Sequence, residues 1–367
     1  MKILFVGKRY YTNRDALLER YGRIFQLPRL WQESGVDVRL WLIDYHRGRE
    51  QGNDNSASAQ PALPVDCLPV PGLALVSRFF SLLMPGRDRP EIIVASGDCY
   101  IGLLCWLLAR LTGARFVFDI YDRYDQFPGY LRLPGFDLLG FLRSRADACL
   151  FASELVPEQL GGRCDKDIIV PNGLDTDRFR PLDLQQCRQQ AGIEDEDYLV
   201  GYFGSMEPDR GVADLVDAIG LLVEQGLAVR LLIAGHASDP ESLDRPYVRY
   251  LGNRPFAEMP LLMACCQVLA LPYRRSTFMD AGASNKIAEY IAVGRPVAAT
   301  KSPNLLANFN FGPDAEAELA QPSDPNSLAG VIRRCIESPR ELQLPPGITW
   351  PEIARDTITK IHAVTGI

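Results

Sequence analysis

Along this chain short, nearly unbroken apolar runs alternate with longer segments whose apolar positions recur every three or four residues. KILFV (2–6), VDVRLWLI (36–43), EIIVAS (91–96), RFVFDIYD (115–122), DACLFAS (147–153) and DIIVPNG (167–173) predict strands. Between them residues 15–33, 99–112 and 136–146 predict helices, the first in spite of Pro28, and the polar stretch 47–65 predicts a loop. Strands rich in Val, Ile, Leu and Phe, separated by helices, indicate a parallel sheet covered on both faces. The second half repeats the pattern. Strands are predicted at YLVGYFGS (198–205), VRLLIAG (229–235), VRYLGN (248–253), QVLALPY (267–273) and 297–300, with helices at 211–226, 256–266, 286–293 and 350–363. In the helix 211–226 the positions Val212, Leu215, Val216, Ile219 and Leu222 form one apolar stripe. Two such halves predict an α/β protein of two doubly wound, Rossmann-like domains facing across a cleft. The expected division is 1–180, 181–349 and a C-terminal helical segment, 350–367, packing back toward the first domain. In such sheets ligands sit at the carboxyl ends of the strands.

Composition narrows the function. A chain of 367 residues is long enough for two cores. A net charge of −7 argues against bulk nucleic-acid binding. None of the nine cysteines forms a CxxC pair, and Cys105, Cys149, Cys265 and Cys266 sit in apolar runs, as reduced buried thiols do. Three histidines make a multi-histidine metal site a poor expectation, and no metal is expected. MKILFVG leads straight into a strand without a leader's cleavage site, and no apolar run reaches the ~18 residues of a membrane span. A cytoplasmic protein is expected.

Five stretches carry candidate chemistry. In SNKIAEYIAVGRPV (284–297) Ser284 or Asn285 suits an N-cap, Gly294 a left-handed end and Pro296 a stop. The short helix would present its N-terminus, Lys286, Ile287 and Glu289 near an anion; alternatively, Lys286 and Glu289 are a surface pair worth a few tenths of a kcal/mol. In GSMEPDRGVADLVDA (204–218) Gly204, Ser205 and Gly211 make a glycine-bearing strand-to-helix turn, and Arg210 adds a fixed charge. A plain turn with a solvated arginine fits equally. His236 follows a strand-ending glycine in IAGHASD (233–239). In DIYDRYDQF (119–127) Asp119, Asp122 and Asp125 either orient sugar hydroxyls or form a solvated acidic loop. Lys8, Arg9, Arg14, Arg20 and Arg23 make the amino end basic, and the chain contains no GxGxxG, which weakens a nicotinamide oxidoreductase reading.

Taken together these residues resemble the family 4 glycosyltransferases with the GT-B fold, of the bacterial cell-surface glycan type. The likeness runs through IIVPNGLDTDRFRPL (168–182), the strand-turn-helix at 199–218, residues 248–273 and SNKIAEYIAVGRPV (284–297). It implies an acceptor-binding first domain, a second domain for the nucleotide-sugar donor, and retaining, metal-independent hexosyl transfer without a cofactor. By position, Arg210 replaces a lysine on the donor diphosphate, Glu289 holds the ribose, and Lys286 with the amides near Ser284 and Asn285 lies beside diphosphate and sugar. Asp119 or Asp122 would orient the sugar. GDP-mannose is the favoured donor, UDP-glucose the next, and a glycan or lipid-linked glycan the acceptor in exopolysaccharide assembly. Ser205 stands in place of a common arginine, and Ala281, eight residues before Glu289, in place of a common glutamate. The same two-domain pattern also fits a nucleotide-sugar epimerase, and those two departures also fit a non-catalytic nucleotide-sugar-binding protein. VSRFFSLLMPGR (76–87) is either a core helix or a peripheral membrane contact.

Overall fold

The computed structural model describes residues 1–11, 14–45, 63–84, 89–127, 129–132, 134–194, 197–281, 285–312 and 318–367. The chain divides into one compact unit of Met1–Gly173 with Thr349–Ile367 and a second of Leu174–Ile348.

The first unit is built on strands β1 (Lys2–Lys8), β4 (Asp37–Asp44), β5 (Val65–Pro69), β6 (Ile92–Ser96), β7 (Arg115–Ile120), β8 (Ala148–Phe151) and β9 (Asp167–Ile169). They form a parallel seven-stranded sheet in the order β5-β4-β1-β6-β7-β8-β9. A two-residue hairpin, β2 (Tyr10–Tyr11) with β3 (Arg14–Asp15), follows β1. The central strands are apolar on both faces because helices cover both. Phe5, Val6, Trp41, Val94, Phe118 and Phe151 are all buried. The expected helix 15–33 begins only at Arg23, because Gly22 takes a φ of 72° immediately before it and residues 14 and 15 belong to the hairpin. Helix Cys99–Thr112 starts on the Asp98 carboxylate, which accepts from the N–H groups of Tyr100 and Ile101, and ends at Gly113 in the left-handed region. The expected loop 47–65 lies mostly outside the described residues, and its last residue opens β5, which the pattern did not announce.

The C-terminal helix Trp350–Thr365 belongs to this first unit. Its start is fixed by Thr349, whose N–H donates to Glu352 at 3.3 Å, and by Pro351 in the first turn. Trp31, fully buried on helix Arg23–Glu33, donates its indole N–H to the Ala354 carbonyl at 2.9 Å.

The second unit holds β10 (Tyr198–Phe203), β11 (Val229–Ala234), β12 (Val248–Tyr250), β13 (Val268–Leu271) and β14 (Val297–Ala299). They pair in parallel in the order β12-β11-β10-β13-β14. Helix Val212–Glu224 buries Val212, Leu215, Val216, Ile219 and Leu222, the stripe its period predicts. In each sheet the strand order reverses beside the first strand, between β1 and β6 and between β10 and β13. These are the topological switch points at which doubly wound sheets bind ligands.

Trp31→Phe removes the indole donor from the Ala354 carbonyl, which keeps its helical partner. The expected loss is about 0.5–1.5 kcal/mol of stability, measured by urea denaturation with a probe in the first unit. An unchanged midpoint would show that the bond contributes nothing net.

Candidate functional site

The best-built site lies at the carboxyl end of β10. Gly204 follows the strand with a φ of 154°, and its N–H donates to the Ala234 carbonyl at 2.9 Å. A Cβ there would overlap Lys286 Cε and lie 2.7 Å from its Nζ. The lysine therefore lies directly on the Gly204 backbone, with its charge at the strand end. The neighbouring loops are tied to each other. Gly235 has no room for a Cβ against the Gly204 carbonyl, Met206 N–H donates to His236 O at 3.0 Å, and Tyr250 OH donates to Gly235 O at 2.8 Å. The Tyr202 hydroxyl donates to Ser205 O at 2.7 Å, and Phe203 N–H donates to the Tyr290 hydroxyl at 3.0 Å.

Arg210 ends a 3-10 turn, Pro208–Arg210. Gly211 follows with a φ of 68°, and a Cβ on it would meet the Pro272 carbonyl, so only glycine admits this approach to the β13 loop. The Arg210 guanidinium lies over the Tyr273 ring, 5.5 Å from its centroid, and its Nε is 3.5 Å from Glu207 Oε2. Arg274 N–H donates to Asp209 O at 2.9 Å, and the Arg274 guanidinium clamps Asp214 at 2.6 and 2.7 Å. The turn is thereby held to both the β13 loop and helix Val212–Glu224. Glu207 was not singled out by the pattern. Burial pushes its carboxyl up, but the Ser205 hydroxyl, Arg210 and Lys286 outweigh burial and hold it below the usual range.

Helix Asn285–Ala292 carries Lys286 in its first turn, half-buried, and Glu289 one turn on, only 8% exposed. Ile287 is fully buried in the core, so its side chain is removed from the expected contact set. Ser284 lies outside the described residues, as does the side chain of Asn285. His236 is exposed on the loop after β11. Asp280, the carboxylate near Ala281, accepts from Arg275 at 2.7 Å.

The first unit brings a correction. Asp119 is not on a surface loop. It is fully buried at the end of β7, with Arg23 Nη2 2.8 Å from one oxygen and Arg23 Nε and the Ser96 hydroxyl donating to the other at 3.0 and 2.6 Å. Burial pushes its carboxyl up against these partners. A carboxylate so enclosed positions structure and does not touch substrate. Asp122 stays half-buried beside it in sequence, and Asp125 is held by two bonds from Arg123 at 2.9 and 2.7 Å. The basic amino end also shrinks. Arg9 is buried between Asp15 and Asp44, and Arg23 is committed to Asp119 and the Val170 carbonyl. Lys8 keeps a reachable charge, 29% exposed, over the Tyr45 ring and 3.9 Å from Asp98. Among the described residues no group of three or more His, Cys, Asp or Glu is arranged to hold a metal ion.

Two Rossmann-like units, each a parallel sheet with a switch point beside its first strand, define the GT-B class of folds. Two family models match: residues 23–173 match "Glycosyl transferase 4-like domain" and residues 197–338 match "Glycosyl transferases group 1". The chain belongs to the family 4 glycosyltransferases. It is 27% identical over 218 residues to an MMP alpha-(1->4)-mannosyltransferase of Mycolicibacterium hassiacum, covering 56% of this chain and 47% of that protein. The chain thus spans about half the length of the curated relatives it matches. Among solved structures it superposes on Anabaena Alr3699/HepE in complex with UDP with a TM-score of 0.68 at 18% identity, covering 100% and 98% of the two chains. It superposes on a sucrose-phosphate synthase of Thermosynechococcus elongatus with a TM-score of 0.67 at 16% identity, covering 100% and 96%. HepE has also been solved with UDP-glucose.

Gly204 and Gly226 both have positive φ, but only Gly204 has a neighbour in the path of a Cβ. Gly204→Ala displaces Lys286 and should weaken nucleoside diphosphate binding about tenfold, since one displaced charged contact is worth roughly 1–2 kcal/mol. Gly226→Ala carries the backbone strain alone and should leave affinity unchanged. Calorimetric titration distinguishes the two, and equal affinities would remove Lys286 from the anion site.

Proposed function

We propose that the protein is a retaining, metal-independent hexosyltransferase. It takes a nucleotide sugar, GDP-mannose before UDP-glucose, and passes the hexose to a glycan or lipid-linked glycan in polysaccharide assembly. The reading is carried by Lys286, laid on Gly204 at the carboxyl end of β10, and by Arg210, both of which act on Glu207. Two cations there suit a diphosphate, and they stabilise the charge that develops on it as it leaves. The mannosyl relative supports the sugar, and the UDP-bound neighbour keeps a uridine donor in play.

In this mechanism the bond from the anomeric carbon to the phosphate oxygen breaks while Arg210 and Lys286 hold the diphosphate. The acceptor hydroxyl attacks from the same face, and its proton passes to the departing phosphate oxygen. Glu289 accepts from the ribose hydroxyls. Lys8, Tyr45 and Asp98, gathered at the ends of β1, β4 and β6, are assigned to the acceptor. Asp122, not the enclosed Asp119, is the carboxylate left to orient the sugar.

Arg210→Ala should lower kcat/KM by about 10²-fold, the scale of losing one preorganised charge from a leaving group. Glu289→Ala should act mainly through the donor KM. Near-normal turnover in both variants, on donor screens with GDP-mannose and UDP-glucose, rules the assignment out.

A membrane-face location also belongs to this proposal. Helix Leu73–Leu83 buries only Leu82, which overturns its reading as a core helix. Leu73, Val76, Phe80 and, just past it, Met84 are exposed at helical spacing. Tyr100, Leu103, Leu107 and Leu111 repeat that spacing on helix Cys99–Thr112. Neither helix has an acidic residue, and each has one arginine. Among the described residues no helix is long and apolar enough to cross a membrane. An apolar face whose exposed arginine is Arg110, Arg78 being paired with Asp66 at 2.6 Å, suits the surface of an anionic bilayer, where a lipid-linked acceptor resides. The chain should sediment with vesicles containing anionic lipid, and Val76→Ser with Phe80→Ser should abolish this without lowering Tm. Sedimentation that ignores both lipid charge and the double substitution counts against it.

A further inference from the structure

We propose that Glu207 is an internal counter-anion of the phosphate site and limits how tightly that site holds a diphosphate. The inference rests on the reading that Arg210 and Lys286 receive a nucleotide sugar. Glu207 lies three residues before Arg210 on the same turn, with Oε2 3.5 Å from Arg210 Nε. The two ends of this pair differ. The Arg210 side chain is 20% exposed and that of Glu207 is 50% exposed. The guanidinium is held over Tyr273, whereas the carboxylate is half-exposed and bonded by the Ser205 hydroxyl. Arg210 Nε is buried and makes no hydrogen bond, so the carboxylate offers it charge without saturating it. The Ser205 hydroxyl and the Lys286 ammonium act on the same carboxylate. One negative charge therefore stands among two positive ones at the place a diphosphate must enter.

A diphosphate arriving here repels Glu207 and takes over Arg210. When the nucleoside diphosphate leaves, the carboxylate returns to the arginine. Glu207 thus weakens ground-state binding of the charged product and hastens its release. The effect acts on the phosphate charge alone, so the nucleoside part of the ligand does not feel it.

The test is calorimetric titration of the full chain with GDP, UDP and ADP and with their parent nucleosides. It compares wild type, Glu207→Gln, Arg210→Ala and the double variant. Glu207→Gln should bind the diphosphate about two- to fivefold more tightly, the range of one partly exposed ion pair. Nucleoside affinity should not change, and the gain should shrink on the Arg210→Ala background, where only Lys286 and the direct repulsion remain. Glu207→Ser provides a second uncharged side chain in case the amide makes contacts of its own. Equal or weaker diphosphate binding in both uncharged variants, or a gain undiminished without Arg210, overturns the inference and leaves the donor-site reading intact. If no nucleoside diphosphate binds wild type or Glu207→Gln, the donor-site reading falls and this inference with it.

Discussion

The candidate site depends on how closely backbones approach one another at the end of β10. A Cβ on Gly204 would run into the Lys286 side chain, and a Cβ on Gly235 would run into the Gly204 carbonyl. Gly211 repeats the constraint against Pro272. These approaches bring together the loops after β10, β11 and β13, which are far apart in sequence. They also set where the charges stand. A lysine on a flexible stem contributes a defined charge only when its stem is laid along a surface, and Gly204 supplies that surface.

The first unit uses charge differently. Arg23 and Asp119 are both fully buried and bridge the start of a helix to the end of β7, with Ser96 and the Val170 carbonyl completing the bonding. Removing either partner would strand a charge in the core, which is far more damaging than the pair is stabilising. A similar enclosure holds Arg9 between Asp15 and Asp44. What reads as a basic, acid-rich ligand face is therefore largely internal wiring, and the contrast with the half-exposed Glu207 and Lys286 is one of available freedom.

Strands and long helices were legible because burial on both faces demands unbroken apolar runs and a stripe such as Val212 to Leu222. The glycine-bearing turn around Arg210 was legible because Gly204 and Gly211 bracket it. Other elements were not. Helix Leu184–Ala191, LQQCRQQA, buries only Cys187 and Arg188 and so shows no apolar stripe. Helix Pro325–Glu337 carries a signal in Asp324 and Pro325, a cap and a first-turn proline, but is not among the expected elements. The role of Asp119 could not be read, since its partner Arg23 lies 96 residues away and pairing across that separation leaves no local mark. Ile287 misled for the opposite reason: it adjoins Lys286 in sequence but faces the core.

The placement of helix Trp350–Thr365 in the first unit bears on the order in which this protein is made. Residues 174–348 leave the ribosome before the segment that completes the first unit. At about 5–20 residues per second, that interval lasts roughly 10–35 s. Throughout it Trp31 lacks the carbonyl it will bond and the face of helix Arg23–Glu33 lacks its cover. The second unit is complete while the first is still unfinished. The two units are thus completed in the reverse of the order in which they are begun.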